Sequence, residues 1–120
     1  MLRGIDPILS PDLLKILRAM GHGDEIVIAD ANFPSEANAR RLVRLDGLDA
    51  VRVARAVLSV MPLDSFVGDP AASMAPVDAP DSVPVVVSLF QQVIDEVADH
   101  PARIAPVERF AFYERARSAY

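Results

Sequence analysis

MGHGDEIVIADANFP, residues 20–34, contains the clearest indication of fold class in the chain. Within it, residues 25–30 read EIVIAD, with an uninterrupted β-branched centre at residues 26–28, between a glycine-rich turn and Asn-Phe-Pro. Such a run predicts a strand that is buried on both faces, as in a largely parallel sheet. The strand ends on the carboxylate of Asp30, and ligands of open α/β sheets bind outside the carboxyl ends of strands.

Helix and strand signals alternate on either side of this predicted strand. Ser10 and Pro11 predict a helix start, because the hydroxyl caps free amides and the missing amide of proline costs nothing there. Residues 61–84 hold five of the ten prolines and predict a loop-rich crossing segment with one short strand. Apolar spacing predicts helices at 11–20, 48–60, 85–99 and 112–120, and short strands at 41–45 and 103–107. The alternation predicts one α/β domain.

Length, composition and charge exclude several classes of protein. With 120 residues the chain is one domain long, and a hydrophobic fraction of 52% is too high for a disordered chain. Lys and Arg number 12 against 17 Asp and Glu, and this net charge of -5 argues against a nucleic-acid partner. Because a small domain often hides surplus apolar surface in a subunit interface, we expect a homo-oligomer.

The cysteine and histidine counts exclude further kinds of functional site. The chain has no cysteine, which excludes disulfides, thiolate metal sites and cysteine nucleophiles, and which suits a cytoplasmic location. Its two histidines, His22 and His100, are far apart, so we expect no histidine metal cluster. No stretch approaches the roughly 20 apolar residues of a membrane span, and the first ten residues lack a signal-peptide pattern. We therefore expect no membrane partner.

Two residues beside the predicted strand at 25–30 are candidates for the functional site. His22 lies between two glycines, which leave its imidazole reachable for acid/base work; the alternative is a histidine favoured by the helix end before it. Asp30 is placed to bind a ligand, and the alternative is that it caps the following turn. Together the two flank one short strand, and a carboxylate can fix a histidine tautomer or hold a substrate hydroxyl.

The second candidate region is residues 109–116, RFAFYERA. Arg109 and Tyr113 are four residues apart, so on a helix they would share a face. The alternative is an aromatic core stripe of Phe110, Phe112 and Tyr113 with a surface ion pair. Residue type alone favours that alternative.

Three segments carry a resemblance to a known family. Residues 20–34, the DGL of residues 46–48 and residues 109–116 resemble the L-fucose mutarotase branch of the fucose mutarotase and ribose pyranase family. The likeness runs from residue 1 to residue 120 and is loosest in the proline-rich middle. The ribose pyranase branch lacks the FYER run of residues 112–115, so the fucose branch is favoured.

This resemblance implies a fold, an activity and roles for four residues. The fold is a three-layer α/β/α single domain with a mixed, largely parallel sheet, assembled as a ring-shaped decamer with sites near subunit contacts. The activity is cofactor-free interconversion of the α and β anomers of L-fucose or a related monosaccharide. The family's general acid falls on His22 and its proton-transfer tyrosine on Tyr113, while its sugar-binding carboxylate and guanidinium fall on Asp30 and Arg109. The family also continues past the position of Tyr120 with two strands and a Tyr-Gly-Asn sugar-binding motif.

Two other functions fit the same residues. A D-ribose pyranase would interconvert pyranose and furanose forms by the same ring opening. A non-catalytic sugar-binding or transport-associated module would use the pocket without proton transfer. Faster exchange of ribose than of fucose would favour the first, and tight sugar binding without faster exchange would favour the second.

Overall fold

The protein is described by a computed structural model that covers all 120 residues. The chain forms five helices and two strands, and the four predicted helices are present with bounds shifted by up to a few residues, whereas the short helix at Ser35–Asn38 was not predicted. The elements are α1 (Pro11–Ala19), α2 (Ser35–Asn38), α3 (Ala50–Leu58), β1 (Ala71–Met74), α4 (Val85–Val97), β2 (Ile104–Val107) and α5 (Arg109–Ser118). No helix combines the length and the apolarity needed to cross a membrane.

The sheet is parallel and consists of β1 and β2. Its register pairs Ala71 with Ile104 and Met74 with Val107, and α4 makes the crossover that two parallel strands require. Pro106 has no amide to donate, and β2 accommodates it because both strands of a two-stranded sheet are edge strands. The predicted α/β class with a parallel sheet is confirmed, although the sheet is small.

The predicted strand at residues 25–30 is wrong in its pairing and in its burial. The segment is extended, but the backbone of residues 26–29 makes no backbone hydrogen bond, and its apolar side chains are half-buried rather than buried on both faces. The predicted strand at 41–45 is likewise unpaired. An apolar run fixes which side chains avoid water, whereas a ladder also needs a neighbouring strand, which local sequence does not specify.

The core lies between α1 and α3. Five buried apolar residues form one cluster, and the extended segments at 25–30 and 41–45 pack against it. These five are Leu9, Leu13, Val53, Ala56 and Val57. The segments contribute Ile26, Ile28, Val43 and Leu45, which alternate with residues facing outward. The two segments therefore cover the core without forming a sheet.

Side-chain caps set where the helices begin. The Ser10 hydroxyl accepts a hydrogen bond from the Leu13 amide at 3.3 Å, and the Asp49 carboxylate accepts one from the Arg52 amide at 2.8 Å. At α5 the Glu108 carboxylate accepts hydrogen bonds from two amides of the first turn, at 2.9 and 3.1 Å. This cap begins α5 at Arg109, three residues before the predicted start at residue 112.

Candidate functional site

His22 projects from a short turn that follows α1. The Asp24 carboxylate accepts a hydrogen bond from the Gly21 amide at 2.8 Å, and the Asp24 amide donates to the Gly21 carbonyl at 3.1 Å. Gly23 has φ +82°, a conformation that L side chains rarely adopt. The His22 side chain is 77% exposed. The glycine-flanked turn therefore presents an imidazole to solvent, as the sequence predicts.

The carboxylate that contacts His22 is that of Asp64. Its Oδ1 lies 3.1 Å from His22 Nδ1, and its Oδ2 accepts a hydrogen bond from the Gly23 amide at 2.8 Å. Oδ1 also accepts one from the Phe66 amide at 2.9 Å. The hypothesis that Asp30 fixes the histidine is therefore corrected, because Asp30 makes no hydrogen bond or ion pair with His22.

The Asp64 carboxylate is held in its ionised form. Backbone hydrogen bonds from Phe66 and Gly23 are the largest causes that lower the pKa of Asp64, and the hydrogen bond from His22 lowers it further. An ionised carboxylate only accepts hydrogen bonds, so the His22 Nδ1 facing it carries the proton. Nε2 then remains for other partners. The Phe66 ring meets the imidazole edge-on at 4.8 Å between centroids.

Tyr113 lies on α5 within a cluster of aromatic rings. The Phe33 ring stacks on the Tyr113 ring at 5.3 Å with 13° between the planes, and Phe112 meets Phe33 edge-on at 6.1 Å. The Arg109 guanidinium carbon is 6.0 Å from the centre of the Tyr113 ring, one helical turn away. The predicted shared face of Arg109 and Tyr113 is confirmed. The aromatic stripe predicted as the alternative is incomplete, because Phe110 is 73% exposed.

Asp30 forms a turn that places Phe33 against Tyr113. Its Oδ1 accepts a hydrogen bond from the Asn32 amide at 2.7 Å, and its carbonyl accepts one from the Phe33 amide at 3.1 Å. Turn capping, the alternative considered for Asp30, is therefore observed. Its other carboxylate oxygen has no hydrogen-bond partner in the protein, and the residue is exposed. Asp30 can thus cap the turn and still accept a hydrogen bond from a ligand.

The four predicted site residues fall into two clusters. Phe33 contacts both Asp30 and Tyr113, and Arg109 lies beside the Tyr113 ring; we call these four residues the tyrosine cluster. His22 belongs to the histidine cluster, completed by Asp64 and Phe66. No hydrogen bond, ion pair or ring contact joins the two clusters.

Sequence reasoning missed three residues of these clusters. Asp64 and Phe66 lie more than 40 positions from His22 in a proline-rich segment, and no local pattern indicates that they approach it. Phe33 is inside the motif at residues 20–34, where its neighbour Pro34 indicated only a turn. Its contact with Tyr113 spans 80 residues, so only the tertiary structure reveals it.

A groove between the extended segments has a volume of about 520 Å³. Most of its lining is hydrophobic, and of the four predicted site residues it includes only Asp30. A monosaccharide needs convergent polar groups, so this lining does not suit one. A smaller polar hollow of about 340 Å³ includes Asp64, His100 and Arg103. No group of three or more His, Asp or Glu residues is arranged to hold a metal ion.

The sequence and the fold resemble those of known proteins over the whole chain. An L-fucose mutarotase of Histophilus somni (strain 2336) is 39% identical over 120 residues, which are 100% of this chain and 83% of that protein. The crystal structure of the fucose mutarotase in complex with L-fucose from Streptococcus pneumoniae matches with a TM-score of 0.89 and 41% identity, over 99% of this chain and 84% of that one. FucU from Bifidobacterium longum matches with a TM-score of 0.88 and 43% identity, over 98% and 85% of the two chains.

The family assignment rests on a match to the whole chain rather than on a single motif. Residues 3–120 match the model of the RbsD / FucU transport protein family, so both the histidine and the tyrosine cluster lie inside the matched region. This chain therefore belongs to the RbsD / FucU transport protein family.

Proposed function

We propose that this protein is a mutarotase that interconverts the α and β anomers of L-fucose, or of a related monosaccharide, without a cofactor. The observation that carries the proposal is the exposed imidazole of His22, whose Nδ1 faces an ionised carboxylate while Nε2 stays free. That arrangement suits a general acid/base. Relatives that share 38–39% of the sequence across the whole chain are L-fucose mutarotases, which supports the same activity.

The chemistry requires two proton transfers. His22 Nε2 in the protonated ring delivers a proton to the ring oxygen. The Tyr113 hydroxyl accepts the proton of the anomeric hydroxyl and releases its own proton to solvent water. The bond between the ring oxygen and the anomeric carbon breaks as the anomeric carbon and its hydroxyl oxygen form the aldehyde carbonyl. The open aldehyde rotates about its bond to the next carbon and recloses on its other face, with both proton transfers reversed. Each positioned acid or base contributes typically about 10²–10⁴-fold to the rate. No electron transfer takes place, so no redox cofactor is needed.

Asp30 and Arg109 hold the other hydroxyls of the sugar in this proposal. The unused carboxylate oxygen of Asp30 accepts hydrogen bonds from hydroxyls, and the exposed guanidinium of Arg109 donates them. Such anchors orient the ring, and orientation lowers the barrier because the reacting atoms are already aligned.

The aromatic ring of Phe33 adds an apolar wall beside Tyr113, which suits the methyl group of a 6-deoxy sugar. D-ribose has no such methyl group. This difference favours fucose over ribose as the substrate.

We further propose that residues 1–120 act as one sugar mutarotase domain, which assembles as a homo-oligomer, a decamer, in the cytoplasm. Thirteen large hydrophobic side chains are exposed on the single chain, among them Phe66 at 81% and Val85 at 78%. Their burial between subunits would remove apolar surface from water, which supports an assembly. Sedimentation equilibrium measures the subunit number, and a monomer at all concentrations would contradict the assembly.

Magnetisation-transfer NMR between the anomeric protons of L-fucose tests the activity directly. We expect exchange to accelerate with added protein and to accelerate less for D-ribose under the same conditions. Faster exchange of ribose would make the protein a pyranase. Calorimetric binding of fucose with no acceleration would make it a sugar-binding module, and either result would contradict the proposal.

A further inference from the structure

We propose that Asp64 is a positioning residue for the reaction, which holds His22 in the tautomer that leaves Nε2 free for the sugar. The inference rests on the proposed function, because it takes His22 as the general acid/base. Nothing in the sequence around Asp64 indicated such a role, and the resemblance placed none on it. The evidence is the set of groups that this one carboxylate contacts.

Asp64 binds both the backbone and the ring at the His22 turn. Its Oδ2 accepts a hydrogen bond from the amide of Gly23, directly after His22, at 2.8 Å, and its Oδ1 faces His22 Nδ1 at 3.1 Å. The Phe66 amide donates to the same Oδ1 at 2.9 Å and anchors the carboxylate to its own loop. The side chain of Asp64 is 19% exposed and that of His22 is 77% exposed. The largely shielded carboxylate of Asp64 therefore orients the solvent-exposed imidazole of His22.

The hydrogen bonds leave only one ring nitrogen for the substrate. Because an ionised carboxylate cannot donate, His22 Nδ1 must carry the proton in the hydrogen bond to Asp64. In the neutral ring Nε2 is then an acceptor, and in the protonated ring it is a donor, so the same atom serves both directions of the reaction. Phe66 contacts the same ring edge-on at 4.8 Å between centroids.

A second aspartate and histidine pair in the chain provides a matched control. Asp99 Oδ1 accepts a hydrogen bond from the Leu63 amide at 2.9 Å, and Asp99 Oδ2 lies 3.3 Å from His100 Nδ1. As at Asp64, a backbone hydrogen bond is the largest cause that lowers the pKa of Asp99. The proposed chemistry does not use His100. Asp99→Asn therefore removes the same kind of carboxylate beside a histidine outside the proposed chemistry, and the amide oxygen of the Asn can still accept the hydrogen bond from Leu63, which precedes Asp64.

Asp64→Asn is the decisive variant because it keeps the shape of the side chain and replaces one of its two acceptor oxygens with an NH2 group. An amide cannot accept from the Gly23 amide on one side and from His22 and Phe66 on the other. We expect kcat for fucose exchange to fall about 10- to 100-fold with KM changed less than about twofold, by analogy with the loss typical when the hydrogen-bond partner of a metal-binding histidine is removed. Asp99→Asn is expected to keep kcat.

The ¹⁵N chemical shifts of the imidazoles report the tautomer independently of activity. The chain has two histidines, so a histidine-labelled sample gives two ring patterns, and loss of one in His100→Ala assigns both. We expect wild-type His22 to show a protonated Nδ1, and Asp64→Asn to raise the fraction with a protonated Nε2. A wild-type His22 protonated mainly on Nε2 overturns the proposal without any variant. An unchanged kcat in a folded Asp64→Asn protein also overturns it.

Failure of the proposed function gives a different result from failure of the Asp64 proposal. If His22→Ala leaves fucose exchange unchanged, His22 is not the acid/base and the proposed mechanism is wrong, whatever the ring pattern shows. If His22→Ala abolishes exchange while Asp64→Asn alters neither the ring pattern nor kcat, only the positioning role of Asp64 is wrong.

Discussion

The histidine cluster and the tyrosine cluster present the two groups proposed for proton transfer, His22 and Tyr113, in opposite ways. His22 lies on a glycine-flanked turn and is fixed by polar contacts to Asp64, with 77% of its side chain exposed. Tyr113 is half-buried on α5, and its ring is held by stacking on Phe33. The first cluster gains its geometry from hydrogen bonds and the second from apolar packing.

This difference decides which substitutions each cluster tolerates. A carboxylate that accepts several hydrogen bonds does not tolerate replacement by a carboxamide, because one acceptor oxygen becomes an NH2 group and a donor is left unpaired. Aromatic packing depends on the volume and shape of the side chains, so it tolerates the loss of a hydroxyl at the edge of the ring. Polar isosteres should therefore damage the histidine cluster, and truncations of apolar side chains should damage the tyrosine cluster.

The largest expected effect is that of His22→Ala. Loss of a positioned general acid/base should lower kcat for fucose exchange by about 10³-fold, within the usual range for one such group. Magnetisation-transfer NMR measures the rate, and calorimetry checks that fucose still binds. The control is His100→Ala, which removes the other histidine of the chain. Comparable losses in both variants would contradict the assignment.

Tyr113→Phe should have the next largest effect, a fall in kcat of about 10²-fold. The ring and its stacking on Phe33 persist, so the unfolding free energy should change by less than about 0.5 kcal/mol. Tyr120→Phe is the matched control, because the chain has two tyrosines. A Tyr113→Phe protein with full activity would show that the tyrosine cluster has no part in proton transfer.

Phe33→Ala tests the packing of the tyrosine cluster. It removes the ring stacked at 5.3 Å on Tyr113 and the edge contact with Phe112, and such aromatic pairs contribute about 0.5–1.5 kcal/mol each. We expect the unfolding free energy in urea to fall by about 1–3 kcal/mol and kcat to fall about tenfold. Phe110→Ala, at a ring that is 73% exposed, should cost less than about 0.5 kcal/mol. Equal losses would contradict the role of stacking.

The smallest expected effect is a loss of stability in acid that involves the histidine cluster and the cap of α5, the helix that carries Tyr113. Backbone hydrogen bonds lower the pKa of Asp64 in the histidine cluster and of Glu108 at the start of α5. Their stabilisation is therefore complete above the ordinary carboxyl range near pH 4, and it is lost as the pH falls through the lowered folded-state values. The urea midpoint should decline below about pH 4, and less steeply in Asp64→Asn and Glu108→Gln. Parallel declines in all three proteins would contradict these assignments.

Local signals predicted the helices better than the sheet. Capping by Ser10 and the apolar spacing of α3 and α4 are properties of neighbouring residues, and these helices form within a few residues of the predicted bounds. The EIVIAD run at residues 25–30 is the strongest strand signal, yet it is unpaired, while the weak signal IAPV at residues 104–107 pairs with β1. Strand pairing depends on a partner distant in sequence, which the local pattern does not contain.

The site was predictable in its residue types and only partly in its contacts. His22 between glycines predicted an exposed imidazole, and the spacing of Arg109 and Tyr113 predicted a shared helix face; both predictions are confirmed. Of the two roles considered for Asp30, fixing the histidine tautomer is not observed, because the carboxylate that contacts His22 is that of Asp64. Asp64 reaches the turn only through the tertiary fold.

The contact between His22 and Asp64 joins residues 42 positions apart, so it closes a long loop of chain by a few hydrogen bonds. The entropy of loop closure rises slowly with length, by about 0.6 kcal/mol for each doubling. Insertions of a few residues in the exposed turn at Asp46 and Gly47, which lies inside this loop, should then have little effect on the closure. Evolution can therefore lengthen or shorten that turn while the contact between His22 and Asp64, at the two ends of the long loop, is kept.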